Sequence, residues 1–247
     1  MHFVEDFYIK KDAIFIADSH FKMGEMARFM ALSAIKDTQV FLMGDIFHVL
    51  MGNLKQSIKE NLSLLHILKE LSLKNEVYYL AGNHDMHLKC IEELSNIRLF
   101  SHASQPLVLK DYKGDICILA HGDLWINKGY DLYAWAMSSV ISGYCLGFLD
   151  KITLGKLYKR IRKKVYLKPI IRMPFSEERL KSFARYRVEL YKKRIFSMVL
   201  KHYLAPKDSK FCIIEGHFHL NRIYNFDNVK YVGLDAFYFE GEPFAYN

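Results

Sequence analysis

Five short motifs place carboxylate, amide and imidazole donors at separate points of the chain. They are Asp18-Ser19-His20, Gly44-Asp45, Gly82-Asn83-His84-Asp85, His121-Gly122-Asp123 and Gly216-His217-Phe218-His219. A lone Asp or His at such a point is more often a turn or cap residue. Five motifs in series, each directly after a short apolar run, are better explained by one shared site. Carboxylate, amide and imidazole without thiolate suit first-row divalent ions, with Mn²⁺ expected and Fe²⁺ or Zn²⁺ as alternatives. Two such ions about 3.5–4 Å apart share a carboxylate, acidify a water between them and neutralise phosphoryl oxygens. The expected chemistry is hydrolysis of a phosphoric ester or anhydride, without a protein nucleophile. Asp18, His20, Asp45, Asn83, His121, His217 and His219 are the expected ligands.

The apolar runs that precede these motifs cover residues 13–17, 40–43, 77–81, 116–120 and 211–214, and they read as buried strands. Helical stretches at 24–36 and 55–73 separate the first three, which predicts β-α-β units and a largely parallel layer. Runs at 222–224, 230–234 and 236–239 alternate more and predict antiparallel strands that complete a second sheet. The expected fold is an α/β sandwich, two mixed sheets flanked by helices, with the ligands converging where strands end. Glycines before Asp45, Asn83 and His217 permit sharp turns and close approach to a bound group.

Residues 1–121 and 211–247 are expected to form this core, and 122–210 a helical, basic insertion acting as a lid. Helical spacing is clear at 154–165 and again at 176–203, with Pro169 and Pro174 in the connection. Between residues 151 and 202, seventeen Lys and Arg stand against Glu177, Glu178 and Glu189, a net of +14. The rest of the chain nets −6, within a total of +8. The region is therefore expected to meet anions. Residues 132–149 carry no charge, the lower edge of a membrane-spanning length. A single span there would part His217 and His219 from the other ligands, so it reads as a buried helix or an apolar lid. With 51% apolar residues, disorder is excluded. Cys90, Cys117, Cys145 and Cys212 are widely spaced and read as reduced thiols. With no signal-like opening, a cytoplasmic location is expected.

Taken in order, D-x-H, G-D, G-N-H-D, H and G-H-x-H over residues 18–219 resemble the motif series of the calcineurin-like metallophosphoesterases. The resemblance implies that Asp18, His20 and His219 bind one ion and that Asn83, His121 and His217 bind the other, with Asp45 bridging. It implies that His84 meets the substrate phosphate and donates to the leaving side, and that Asp85 orients His84. The family hydrolyses phosphoproteins, nucleic acids, cyclic nucleotides and nucleotide-linked lipids. An aromatic, uncharged helix (Tyr133, Trp135, Tyr144, Phe148) followed by basic amphipathic helices suits the last class. The expected partners are thus a nucleotide-linked lipid substrate and the anionic inner face of the cytoplasmic membrane, with peripheral attachment; nucleic acid is not expected. A nuclease or cyclic-nucleotide phosphodiesterase is the alternative, and a non-catalytic membrane scaffold the alternative of another class. Outside the motifs, His66, His102 and His202 are expected to be surface or capping residues, while His48 and His87 are candidates for contacts behind the ligands.

Overall fold

The computed structural model describes residues 1–22 and 26–247. Its five-stranded sheet runs, edge to edge, Phe244–Ala245, Ile14–Ile16, Gln39–Leu42, Glu76–Leu80 and Arg98–Phe100, all parallel except the first. A six-stranded mixed sheet runs His2–Phe3, Leu107–Lys110, Ile116–Ala120, Phe211–Glu215, Val229–Gly233 and Arg222–Phe226. The three ligand-bearing strands of the first sheet are adjacent, and so are Ile116–Ala120 and Phe211–Glu215 in the second.

Alternation of side chains along each strand builds a four-layer molecule. Phe15, Phe41, Tyr78 and Leu80 face Leu107, Leu109, Leu119 and Ile214 across the space between the sheets. Their neighbours Ile16, Val40, Leu42 and Tyr79 point outward and meet Leu64, Leu65, Leu68 and Leu71 of the helix Lys55–Lys74. On the far side, Ile116, Ile118, Phe211 and Ile213 are covered by Leu180, Ala184, Val188 and Tyr191 of the helix Glu177–Tyr191. That helix continues through a widened turn, Lys192–Phe196, into Ser197–His202.

The segment 122–210 therefore divides. Its second half supplies the outer layer of the core. Its first half, helices Lys128–Ser138, Val140–Ile152 and Lys156–Tyr166, forms a lid. The uncharged stretch 132–149 is not a buried helix. It breaks at Ser139 into two helices bent by 65°, and Trp135, Ile141, Tyr144 and Phe148 are exposed. Ser139 causes the break by capping the second helix, accepting from the Ser142 N–H at 3.1 Å. Among the described residues no single helix is long and apolar enough to cross a membrane.

Two other expectations are corrected. Residues 236–239 form a helical turn, Phe237–Glu240, and not a strand, because Phe237 and Tyr238 donate their N–H groups to the carbonyls of Ala17 and Asp18. The strand beside Ile14–Ile16 is instead Phe244–Ala245. The helix expected at 24–36 lies partly outside the described residues; within them the chain forms a helical turn, Ala27–Met30, and a 3-10 turn, Ala31–Ala34.

Candidate metal centre

All seven expected ligands meet in one crevice at the ends of the strands. The approach is tight enough to dictate backbone geometry. Asp18, His20, Asp45, His217 and His219 all adopt left-handed φ between 45° and 61°. For a non-glycine residue this costs on the order of 1 kcal/mol or more, and the loops pin it. Asp18 N–H donates to Gly44 O at 3.0 Å and His20 N–H to Asp45 O at 2.9 Å. His217 N–H donates to Asp18 Oδ2 at 2.7 Å and His84 N–H to Asp45 Oδ1 at 2.8 Å. A Cβ on Gly82 would lie 2.2 Å from Asp45 Oδ1, and one on Gly216 would lie 2.6 Å from Asp18 Oδ2. Gly44, at φ 88°, leaves equally little room beside His121 Nδ1. Only glycine lets these loops close on one another.

Donor atoms of Asp18, His20 and His219 lie within 4.8 Å of one another, and so do those of Asp45, His121 and His217. The imidazoles are aimed by backbone carbonyls, the usual way of fixing a ligand tautomer. His121 Nδ1 donates to Met43 O at 2.9 Å, so its Nε2 faces Asn83 Oδ1 at 3.2 Å, His217 Nδ1 at 3.3 Å and Asp45 Oδ2 at 3.5 Å. His219 Nδ1 donates to Ile171 O at 2.8 Å, which sets its Nε2 3.4 Å from Asp18 Oδ1. Ile171 precedes the helix Glu177–Tyr191, so a residue of the segment 122–210 orients a core ligand.

Two imidazole nitrogens, a carboxylate and an amide oxygen converging at about 3.2–3.5 Å form a donor set that suits a cation. Asp18 Oδ1 and His20 Nδ1 are buried without a hydrogen-bond partner among the described residues, as acceptor atoms directed at a cation would be. Burial works against the charged form of Asp45, yet the surrounding His121, His84 and His20 rings hold its carboxyl well below the usual range. Its carboxylate belongs to the group of His121 and His217, and its charge also reaches Asp18, His20 and His219 of the other group. Burial also pushes His20 down to about 4, leaving a neutral imidazole free to ligate.

Several residues sit elsewhere than the sequence suggests. Asp85 does not orient His84. Its carboxylate accepts from the Ile46 and Phe47 N–H groups at 2.8 and 3.1 Å and from the Tyr79 hydroxyl at 2.8 Å, bracing the turn after Asp45. Burial and the charge of Asp45 push it up to about 7. The orienting contact belongs to His48: its carbonyl accepts from His84 Nδ1 at 2.6 Å, which directs His84 Nε2 inward, 3.9 Å from Asp45 Oδ2. The His48 ring is itself buried between His20, His84 and Tyr166 of the lid, and burial drives it down to about 3. His102 is no surface residue, since its Nε2 lies 3.0 Å from Asp123 Oδ2, which also accepts from Tyr130 of the lid at 2.9 Å. Burial disfavours the Asp123 carboxylate, but the His102 hydrogen bond and the charge of His121 outweigh it and hold it at about 2.

Two positioning residues carry no signal in the sequence. Gln105 donates to Ala81 O and accepts from the His121 N–H, both at 2.6 Å, tying the strand of Asn83 to that of His121. Arg187, one of the seventeen cations of the basic stretch, is almost wholly buried. It donates to both oxygens of Glu215, to Gly122 O at 3.1 Å and to Leu124 O at 2.9 Å, linking the loops of His121 and His217 from behind.

Between the lid and the loops after residues 80 and 98 lies a cavity of about 800 Å³. It is bordered by Gly82 and Asn83 at one end and by Phe100, Tyr133, Tyr144 and Phe148 along its walls. The lid is seated over it by Asn53 Nδ2, which donates to Gly143 O at 2.5 Å, and by His87 Nε2, 3.1 Å from Met137 O.

The family model described as calcineurin-like phosphoesterase matches residues 13–234. A UDP-2,3-diacylglucosamine hydrolase of Shewanella sp. (strain W3-18-1) is 26% identical over 164 residues, which cover 61% of this chain and 64% of that protein. The protein of the same name from Shewanella putrefaciens (strain CN-32 / ATCC BAA-453) matches to the same extent. The chain thus spans less than two thirds of the length of these relatives. A crystal structure of phosphopantetheinyl hydrolase from Mycobacterium tuberculosis superposes with a TM-score of 0.38 at 11% identity, over 92% of this chain and 90% of that one.

Proposed function

From the premise that this chain belongs to the calcineurin-like phosphoesterase family and is a metal-dependent phosphohydrolase, we propose that it cleaves the pyrophosphate of a nucleotide-linked lipid, UDP-2,3-diacylglucosamine, releasing UMP and 2,3-diacylglucosamine 1-phosphate. The observation that carries the reading is the cavity of about 800 Å³ that starts at Asn83 and runs under the lid between aromatic walls. Its size falls in the range of pockets that enclose a ligand. Its lining suits acyl chains, each buried methylene contributing about 0.8 kcal/mol. A nuclease or a cyclic-nucleotide phosphodiesterase has no use for such a space beside its ligands.

Asp18, His20 and His219 would hold one divalent ion, Asn83, His121 and His217 the other, and Asp45 both. Bound there, such ions neutralise phosphoryl oxygens and lower the pKa of a water to near neutrality. Mn²⁺ suits this mixed nitrogen and oxygen set, with Fe²⁺ or Zn²⁺ as alternatives. His84 would present Nε2 to the phosphate while His48 O holds its Nδ1–H, so that, as an imidazolium, it would aim its Nε2–H at the departing oxygen. Away from the cavity the lid exposes Trp135 and Ile141, near in sequence to Lys151, Lys156 and Lys159. Such a surface favours peripheral attachment to the anionic inner face of the cytoplasmic membrane, where a lipid substrate would be met.

The test is turnover of UDP-2,3-diacylglucosamine by the Mn²⁺-loaded protein in ¹⁸O-labelled water. Label in UMP is expected, from attack at the phosphorus nearer uridine. Label confined to the sugar phosphate refutes that site of attack, and rapid cleavage of a cyclic nucleotide or DNA with no turnover of the lipid refutes the substrate.

A further inference from the structure

Lys22 lies two residues beyond ligand His20 and belongs to neither ligand group. Its ammonium lies 5.6 Å from the centre of the Tyr166 ring and 5.7 Å from that of Tyr238. Those two rings locate it. Tyr166 packs edge-on against His48 at 4.9 Å, and Tyr238 stands 6.4 Å from the ring of His20. The ammonium is therefore on the side of the centre where His20, His48 and His84 cluster, at the seam between the lid helix Lys156–Tyr166 and the core. Its charge reaches His48, where it disfavours protonation.

A lysine beside a metal centre is normally neutralised by a carboxylate. Among the described residues no carboxylate lies within ion-pair distance of Lys22. Two aromatic faces flank it, and they hold a cation in place without consuming its charge. A half-buried cation held this way, with no carboxylate at ion-pair distance among the described residues, is prepared for an anion that arrives with the substrate.

We propose that Lys22 binds the second phosphate of a pyrophosphate substrate, the one that leaves, while the metal centre and His84 hold the phosphate under attack. The inference rests on the proposed function for which phosphate departs. In cleavage of a P–O–P bond, water supplies the oxygen that joins one phosphorus, and the bridging oxygen leaves with the other phosphate carrying its electron pair. The leaving phosphate gains negative charge as the bond breaks, and a fixed ammonium beside it favours that change over the ground state. A simple phosphodiester has no group at this point, so Lys22 would select anhydrides over diesters.

The test is calorimetric binding of UDP and UMP to the Mn²⁺-loaded protein at fixed free metal, comparing the wild type with Lys22→Met and Lys22→Arg. Methionine keeps the stem between the two rings and removes the charge, and near-ultraviolet circular dichroism checks that each variant is folded. The wild type is expected to bind UDP more tightly than UMP by about 10- to 100-fold, as a charge-assisted hydrogen bond would give. Lys22→Met should lose most of that ratio and Lys22→Arg should keep most of it. A wild type that binds both nucleotides equally, or a ratio unchanged in Lys22→Met, overturns the proposal. The assay needs no lipid turnover, so a protein that keeps the Lys22-dependent ratio but leaves UDP-2,3-diacylglucosamine intact would sink the lipid assignment alone.

Discussion

Replacing Arg187 by methionine should unfold the chain at markedly lower temperature. The guanidinium lies in the interior between the helix Glu177–Tyr191 and the strand Phe211–Glu215. It donates to Glu215 Oε2 at 3.1 Å and Oε1 at 2.5 Å and to two backbone carbonyls. Methionine fills much of the same volume and donates nothing. Glu215, fully buried, would keep only the Tyr191 and Tyr231 hydroxyls at 2.6 and 2.9 Å, and its charge would lack a counter-ion. Removing one partner of a buried pair costs about 3–5 kcal/mol. In a chain of this size each kcal/mol moves Tm by about 2–4 °C, so a fall of about 6–20 °C is expected. Adding Glu215→Gln removes the stranded charge but keeps an oxygen for the tyrosines, and should recover more than half of the loss. Gly122 adjoins ligand His121, and Glu215 stands two residues before His217. Metal retained after dialysis should therefore fall first at the group of Asp45, His121 and His217. Thermal unfolding monitored by circular dichroism, with metal analysis alongside, measures both. A Tm shift under about 3 °C, or a double variant no more stable than the single one, would refute the reasoning.

Chelation should abolish hydrolysis, and Mn²⁺ should restore it; activity persisting in protein shown to be metal-free contradicts a two-ion centre. Asp45→Ala should deplete both ions, whereas His84→Ala should leave the metal content intact and lower kcat, by about the 10²–10⁴-fold typical of acid–base groups. Metal analysis showing a site emptied by His84→Ala would reassign that residue. Gly143→Val should lift the lid, since even a Cβ there would come within 2.8 Å of the His87 ring. Overpacking of this kind costs about 1–3 kcal/mol, and turnover of the acylated substrate should suffer more than that of a small diester. Reversing four charges within residues 151–168 should release the protein from anionic vesicles in a flotation assay, as should added salt; unchanged flotation counts against membrane attachment.

The ligand crevice was legible in the sequence because its signals are local. A buried strand reveals itself as an apolar run, and a glycine before Asp or His marks the turn at its end, so five strand ends could be located from composition alone. The helix Lys55–Lys74 announced itself in the same way, through its own periodicity. The contacts that could not be read are those whose partners lie far apart in the chain. Arg187 sits among surface cations in sequence, and only its position over Glu215 and Gly122 makes it interior. The same holds for His102 against Asp123, and for Asp85, which adjoins His84 but turns its carboxylate to Ile46, Phe47 and Tyr79. Residues 236–239 alternate like a strand, yet the N–H groups of Phe237 and Tyr238 pair with the carbonyls of Ala17 and Asp18 and not with a sheet edge. The uncharged stretch 132–149 shows the limit most clearly. Sequence determined that it is apolar and helical, but whether an apolar helix is buried depends on what is packed against it. Tertiary structure seats one side of the lid on Asn53 and His87 and leaves Trp135 and Ile141 outside, because hydrophobic burial is a property of the assembled surface and not of any single segment.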